Sequence, residues 1–147
     1  MKKINSKIIS AIIVVIIAVL AIGISQKYLF GNKQEGNKIV TITIENQVDN
    51  KVLVKDQVYH TNATTLEEFL QENKDELIVE ITKEYKMPFL MGLDGLNTTD
   101  MKNGPWWMYG FTSKDQKLNY TVGSAPPLNQ VNLGKESTVT FVFTNKM

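Results

Sequence analysis

The chain of 147 residues contains no cysteine, no arginine and a single histidine; all sixteen of its cationic side chains are lysines. Without cysteine there can be no disulfide framework, thiolate metal site, thiol nucleophile or lipoprotein anchor, and the redox compartment cannot be read. Past residue 30, twelve lysines stand against all fifteen acidic residues, so the globular part is mildly acidic. A nucleic-acid binder normally neutralises several phosphates with a basic stripe, so that partner is set aside. Catalytic vocabulary is short as well. No glycine-rich phosphate loop is present, and no paired acids stand out. Ser113 and Lys114 are adjacent on a turn, which does not make a positioned nucleophile and base. His60 is one imidazole without clustered ligands and reads as a solvated loop residue. "LEEFLQENKDE" reads as a solvated acidic helix face, because it lacks the alternating oxygen ligands of a calcium loop. An enzyme is not expected.

What is present begins with "MKKINSKIISAIIVVIIAVLAIGISQK". Three lysines precede an uncharged run from Ile8 to Ile24. At about 1.5 Å per residue this run reaches ~25 Å, just short of a ~30 Å hydrocarbon core yet longer than the usual core of a signal peptide. Residues 1–27 are therefore expected to be a signal-anchor, with a cleaved signal peptide and secretion as the alternative. Lys27, Lys33 and Lys38 nearly balance the lysines before the run. The free amino terminus then favours a cytoplasmic N-terminus and an external C-terminal domain on the cell membrane. Residues 28–37, "YLFGNKQEGN", read as a polar spacer.

Residues 38–147 are enough for one small domain with one core. "KIVTITIENQ" alternates, with Val40, Ile42 and Ile44 on one face, and "KVLVKDQVYH" follows a turn, so 38–60 reads as an antiparallel hairpin. In "TTLEEFLQEN", Thr64 and Glu67 form a capping box, Leu66, Phe69 and Leu70 share a helix face, and Asn73 is a stop. Two strands are expected next: "ELIVEITKEY" with Leu77, Val79 and Ile81 on one face, and "MPFLMGLDG" with Phe89, Met91 and Leu93 on one face. A polar turn over 97–104 leads to the strand "PWWMYGFT", "TSKDQK" is a turn, and "STVTFVFT" is the last strand. Two strands, a helix, then three or more strands imply an α+β domain, a mixed β-grasp-like sheet packed on one short helix.

On a strand, Trp107, Tyr109 and Phe111 point one way while Trp106, Met108 and Gly110 point the other. A sheet covered by one helix buries only one of these sets. Either all the aromatics are core and edge packing, since strands are rich in them, or an exposed tryptophan, flanked by Met108 and the loop "SAPPLNQ", forms an apolar platform for a ligand or partner.

From "TTLEEFLQEN" through "FLMGLDGLNTTDMKNGPWWMYGFTSKDQ" to "VGSAPPLNQVNLGKESTVTFVF", the sequence resembles the transcobalamin-like C-terminal domain. Its marks are the helix after a threonine cap, the "GLDGL" strand, the aromatic-Trp pair in "WWMY", the Val122-Gly123 step and the terminal strand after "LGKES". The resemblance covers residues 38 to 143. It implies a β-grasp module that lies over one face of cobalamin. It implicates Trp106, Trp107, Met108 and Tyr109, and the loop residues Pro126, Pro127 and Leu128, as contacts to the corrin, with His60 as a remote candidate for an axial ligand. Two features depart from the pattern. The helical barrel that forms the other half of the clamp in the vitamin carriers is missing, and the turn before the last strand reads "LGKES" without an acidic Gly-Asp. With the membrane tether and external placement read from the apolar run, the resemblance implies a module that captures cobalamin, another corrinoid or another apolar small molecule for uptake, with no cofactor required. The alternative is a non-enzymatic surface module that docks a membrane or wall protein.

Overall fold

A computed structural model describes residues 36–146. The expected signal-anchor of residues 1–27, its apolar run 8–24 and most of the spacer lie outside the described residues. Among those described, no helix is long and apolar enough to cross a membrane.

The alternation in "KIVTITIEN" produces β1 (Lys38–Asn46), whose Val40, Ile42 and Ile44 are wholly buried. The Asn46 side chain then caps the turn, accepting from the amides of Val48 (3.1 Å) and Asp49 (3.3 Å), and Asn50 takes a left-handed φ of 53°. This reverses the chain into β2 (Lys51–Thr61), antiparallel to β1 as expected. The ladder shifts register twice: Lys55 and Asp56 bulge opposite Thr43, whose hydroxyl accepts from the Asp56 amide (3.3 Å), and Leu53 is the extra residue between the Ile44–Val54 and Glu45–Val52 pairs.

The helix α1 (Leu66–Glu72) buries Leu66, Phe69 and Leu70, the face foreseen. Its capping box, however, is Thr65 with Glu68, one residue later than the Thr64–Glu67 pair. The cause is tertiary. The Thr64 carbonyl accepts from the Leu133 amide (2.8 Å) and Thr65 bridges Asn132, which holds Thr65 extended outside the helix. Glu67 is left to face Lys83 at 3.0 Å.

Asn73 does end α1, yet a second short helix, α2 (Lys74–Leu77), follows before the chain turns through left-handed Ile78. The long strand expected in "ELIVEITKEY" is therefore reduced to β3 (Glu80–Thr82). β3 pairs with β4 (Phe89–Leu93), which pairs with β5 (Leu96–Asn97), in a separate three-stranded sheet. A register shift between Glu80 and Ile81 bends β4, so Leu90 and Leu93 are buried while Phe89 is exposed. The common face of Phe89, Met91 and Leu93 does not form.

The last strands are β6 (Trp106–Ser113), β7 (Leu118–Tyr120) and β8 (Glu136–Thr144). The main sheet has the order β2-β1-β8-β6-β7, with β1 and β8 parallel and the other pairs antiparallel. Val139, Phe141 and Phe143 of β8, with Trp107 and Phe111 of β6, meet the helix across one core. Each such side chain contributes about 1.5–3 kcal/mol through burial. The protein is thus a mixed α+β domain dominated by sheet.

Candidate functional site

β6 carries the two tryptophans on opposite faces, and each indole N–H is held by a backbone carbonyl. Trp107 is 7% exposed, donates to the Leu96 carbonyl (3.0 Å) and packs against Phe143 at 5.0 Å between ring centres. Trp106 is half-buried and donates to the Met101 carbonyl (2.9 Å). Gly104 makes that position available. Its φ is +75°, and a Cβ there would come within 2.7 Å of the Trp106 ring, so the indole lies directly over the backbone. The turn leading to it is fixed by Asp100, whose carboxylate accepts from the Asn103 side chain (2.6 Å) and from the amides of Lys102 (2.8 Å) and Asn103 (3.2 Å). These bonds, that of the Asn103 side chain first, hold the Asp100 carboxyl below its ordinary range.

Tyr109 draws in the other wall. Its carbonyl accepts from the Gly123 amide (3.2 Å), and its phenol donates to the Pro126 carbonyl. Burial pushes this phenol well above its ordinary pKa, so it stays a neutral donor. Gly110 permits the same approach, since a Cβ there would stand 3.0 Å from the Tyr120 carbonyl oxygen and 3.1 Å from the Val122 nitrogen. The segment 121–127 therefore crosses close over β6 before the short 3-10 turn at Leu128–Gln130.

Between these walls lies a cavity of about 310 Å³. β6 contributes Trp106, Trp107, Met108 and Tyr109, and the crossing segment contributes Pro126, Pro127 and Leu128. All seven residues singled out in the sequence thus line one space. Gly123 and Ala125 join the loop wall; Pro88, Phe89 and Leu90 come from the approach to β4 and its first turn, and Thr98 and Met101 from the segment after β5. Sequence reasoning missed this third wall because it read 97–104 as a polar turn and β4 as a regular alternating strand. Pro88 before an apolar pair and Met101 amid polar neighbours were the available signals. The lining is apolar and carries no carboxylate, ammonium or imidazole.

The other sequence candidates lie elsewhere. His60 is on β2, not in a loop, and pairs with Ile39 at the opposite end of β1 from Asn46, the residue in the row of Phe143 and Trp107. Ser113 is buried, its hydroxyl shared between the Asp115 carboxylate (3.0 Å) and the Glu136 carbonyl (3.3 Å). Of the acidic helix residues, Glu68 caps α1 and Glu72 accepts from the Thr61 hydroxyl.

No protein-family model matches the sequence, and no curated protein does. The fold is similar to a crystal structure of a protein from Ruminococcus gnavus ATCC 29149 described as a "putative metal binding protein". The two share 17% identity over 75% of this chain and 99% of that one, with a TM-score of 0.54. That likeness extends to fold alone. Among the described residues no group of three or more His, Asp or Glu side chains is placed to hold a metal ion. The neighbour's description is therefore not carried across to this chain.

Proposed function

We propose that residues 38–147 are a β-grasp ligand-binding module, of the transcobalamin-like kind, that holds an apolar ligand in the cavity beside β6. Strand order supports the β-grasp reading: an initial hairpin, a helix laid over one face, and first and last strands parallel at the centre of the sheet. The observation that carries the functional reading is the convergence of 106–109 and 126–128, two stretches nearly twenty residues apart, on one apolar space. A corrinoid is the candidate ligand implied by the resemblance. The cavity lies near the lower end of the ~300–1,000 Å³ range of small-molecule sites. It would therefore take an edge or arm of a corrinoid and leave the rest exposed, with modest affinity. The mechanism is shape and stacking, and no bond is made or broken.

The apolar run 8–24 would tether this module to the cell membrane. The chain enters at Lys38, at the end of β1 opposite the cavity, about 26 Å along a nine-residue strand. Capture from outside the cell, for uptake, follows.

Titration of the full chain in detergent with hydroxocobalamin and cobinamide tests the proposal. Both tryptophans line the cavity, so their quenching, with absorbance controls and equilibrium dialysis, reports on this site alone. Saturable binding is expected, and a flat response refutes the corrinoid. The second reading, docking of a membrane or wall protein, draws on β2. This is an edge strand of eleven residues with Val52, Leu53 and Val58 exposed, a surface suited to strand addition. The Lys55–Asp56 bulge interrupts that edge and favours the ligand reading.

A further inference from the structure

Four consecutive residues of β6, Trp106 to Tyr109, line the cavity. Trp106 and Met108 belong to one face of the sheet, Trp107 and Tyr109 to the other, and β8 occupies one side of the strand. A space that touches both faces therefore lies at the strand's remaining edge. β7 covers that edge at Phe111, Thr112 and Ser113, and the crossing segment adds one bond, from the Gly123 amide to the Tyr109 carbonyl (3.2 Å). Trp107 is covered by neither.

Two bonds fix where the Trp107 backbone points. Phe143, opposite Trp107 in the ladder, gives its carbonyl to the Gln47 amide (2.9 Å) on the β1 side, so it faces away from β6. Trp107 and Phe143 are thus a non-hydrogen-bonded pair, and Trp107 turns its own N–H and C=O away from β8. Tyr109, two residues on and turned the same way, marks the side by its bond to Gly123. Among the described residues neither backbone group of Trp107 has a hydrogen-bond partner. Backbone groups of a residue that is 7% exposed are nearly always paired, and an open strand edge is a template for another strand.

The spacing of the two groups selects what meets them. In an antiparallel pair, one residue exchanges its N–H and C=O with the C=O and N–H of a single facing residue. An extended peptide residue carries the two groups at matching separation, whereas a lone trans amide holds them on adjacent atoms pointing opposite ways. The lining has no ammonium, imidazole or carboxylate, so a charged side chain is disfavoured. An apolar cavity of ~150 Å³ holds benzene, so 310 Å³ admits an aromatic side chain with the backbone that carries it. Resting on the cavity as the ligand site, but not on a corrinoid as its occupant, we propose that it takes an extended peptide with an uncharged apolar side chain, added to β6 at Trp107 as a short antiparallel strand.

The test uses the full chain in detergent and the probe acetyl-Phe-methylamide, followed by the NMR signals of the two indole N–H groups and of the Trp107 backbone amide. Binding should move the Trp107 amide downfield and slow its exchange with solvent. Two further probes each carry one added methyl group, on the Phe nitrogen or on the terminal nitrogen, and as isomers they partition alike into detergent. Successive N–H groups of a strand turn to opposite sides. Methylation of the Phe nitrogen should therefore remove the donor to the Trp107 carbonyl and weaken binding roughly fivefold, the worth of one neutral hydrogen bond, while methylation of the terminal nitrogen leaves it unchanged. Acetyl-Glu-methylamide should bind weakest. Equal or reversed affinities of the isomers, indole shifts without a Trp107 amide shift, or tight binding of the Glu probe overturns strand addition while leaving the cavity a ligand site. Silence of every signal to the peptides overturns it too, and silence of both indoles to hydroxocobalamin and cobinamide as well refutes the site itself.

Discussion

Truncating the two adjacent tryptophans should have opposite consequences. Trp107 is 7% exposed, packs on Phe143 and satisfies the Leu96 carbonyl. Its replacement by alanine empties part of the core and should cost about 3–5 kcal/mol. For the roughly 110 described residues, total stability is on the order of 5–16 kcal/mol, so the loss is a large share. Trp106 is half-buried over Gly104 at the edge of the sheet. Half of a full burial term sets its cost near 1 kcal/mol. At ~4–8 °C per kcal/mol for a domain of this size, Trp107→Ala should lower the melting temperature by roughly 12–40 °C and Trp106→Ala by about 4–8 °C. Far-UV circular dichroism is the assay, since either change alters the fluorescence. Trp106→Ala should stay folded and lose ligand quenching at Trp107. Equal melting shifts, or a greater loss at Trp106, would refute the assignment of Trp107 to the core and Trp106 to the site.

Tyr109→Phe removes the donor to the Pro126 carbonyl while keeping the ring against Phe141. It should cost about 1 kcal/mol in urea unfolding and weaken every cavity ligand, because the loop wall loses its tie; unchanged affinity would show that the bond does not position the loop. Asp115 accepts from the Lys135 amide (2.9 Å), from the Ser113 hydroxyl (3.0 Å) and from the Glu136 amide (3.4 Å). These bonds, that from Lys135 first, hold its carboxyl below the ordinary range. A depressed folded pKa gives stability present above the unfolded value near 3.9 and lost as pH falls through the folded one. The urea midpoint should therefore fall below pH ~4, with a shallower fall in Asp115→Asn, and an unaltered slope would contradict this role. Thr65→Ala should cost about 1 kcal/mol as the loss of an N-cap, whereas Thr64→Ala should cost less, since its hydroxyl plays no part in the capping box. The reverse order in denaturant midpoints would restore the cap at Thr64.

Local chemistry made much of this protein legible in the sequence. Strict alternation placed Val40, Ile42 and Ile44 inside, since a period of two leaves a strand over one core no other choice. The spacing of Leu66, Phe69 and Leu70 likewise marked the buried face of α1. Missing cysteine and arginine removed whole classes of chemistry before any fold was considered. The candidates 106–109 and 126–128 came from the resemblance to the transcobalamin-like domain, while the residues alone left core packing and an apolar platform both open.

Tertiary structure decided what local pattern left open. The start of α1 moved by one residue because the bond from Leu133 to Thr64 and the bridge to Asn132 hold Thr65 extended. β4 turned Leu90 inward because its partner strand shifts register. Which tryptophan is core depended on which face of β6 received the helix, a choice that two equivalent alternating faces cannot express. Thr98 is the plainest instance. Nothing in "LNTTD" sets it apart, yet the fold buries it beside the cavity with no hydrogen-bond partner for its hydroxyl among the described residues.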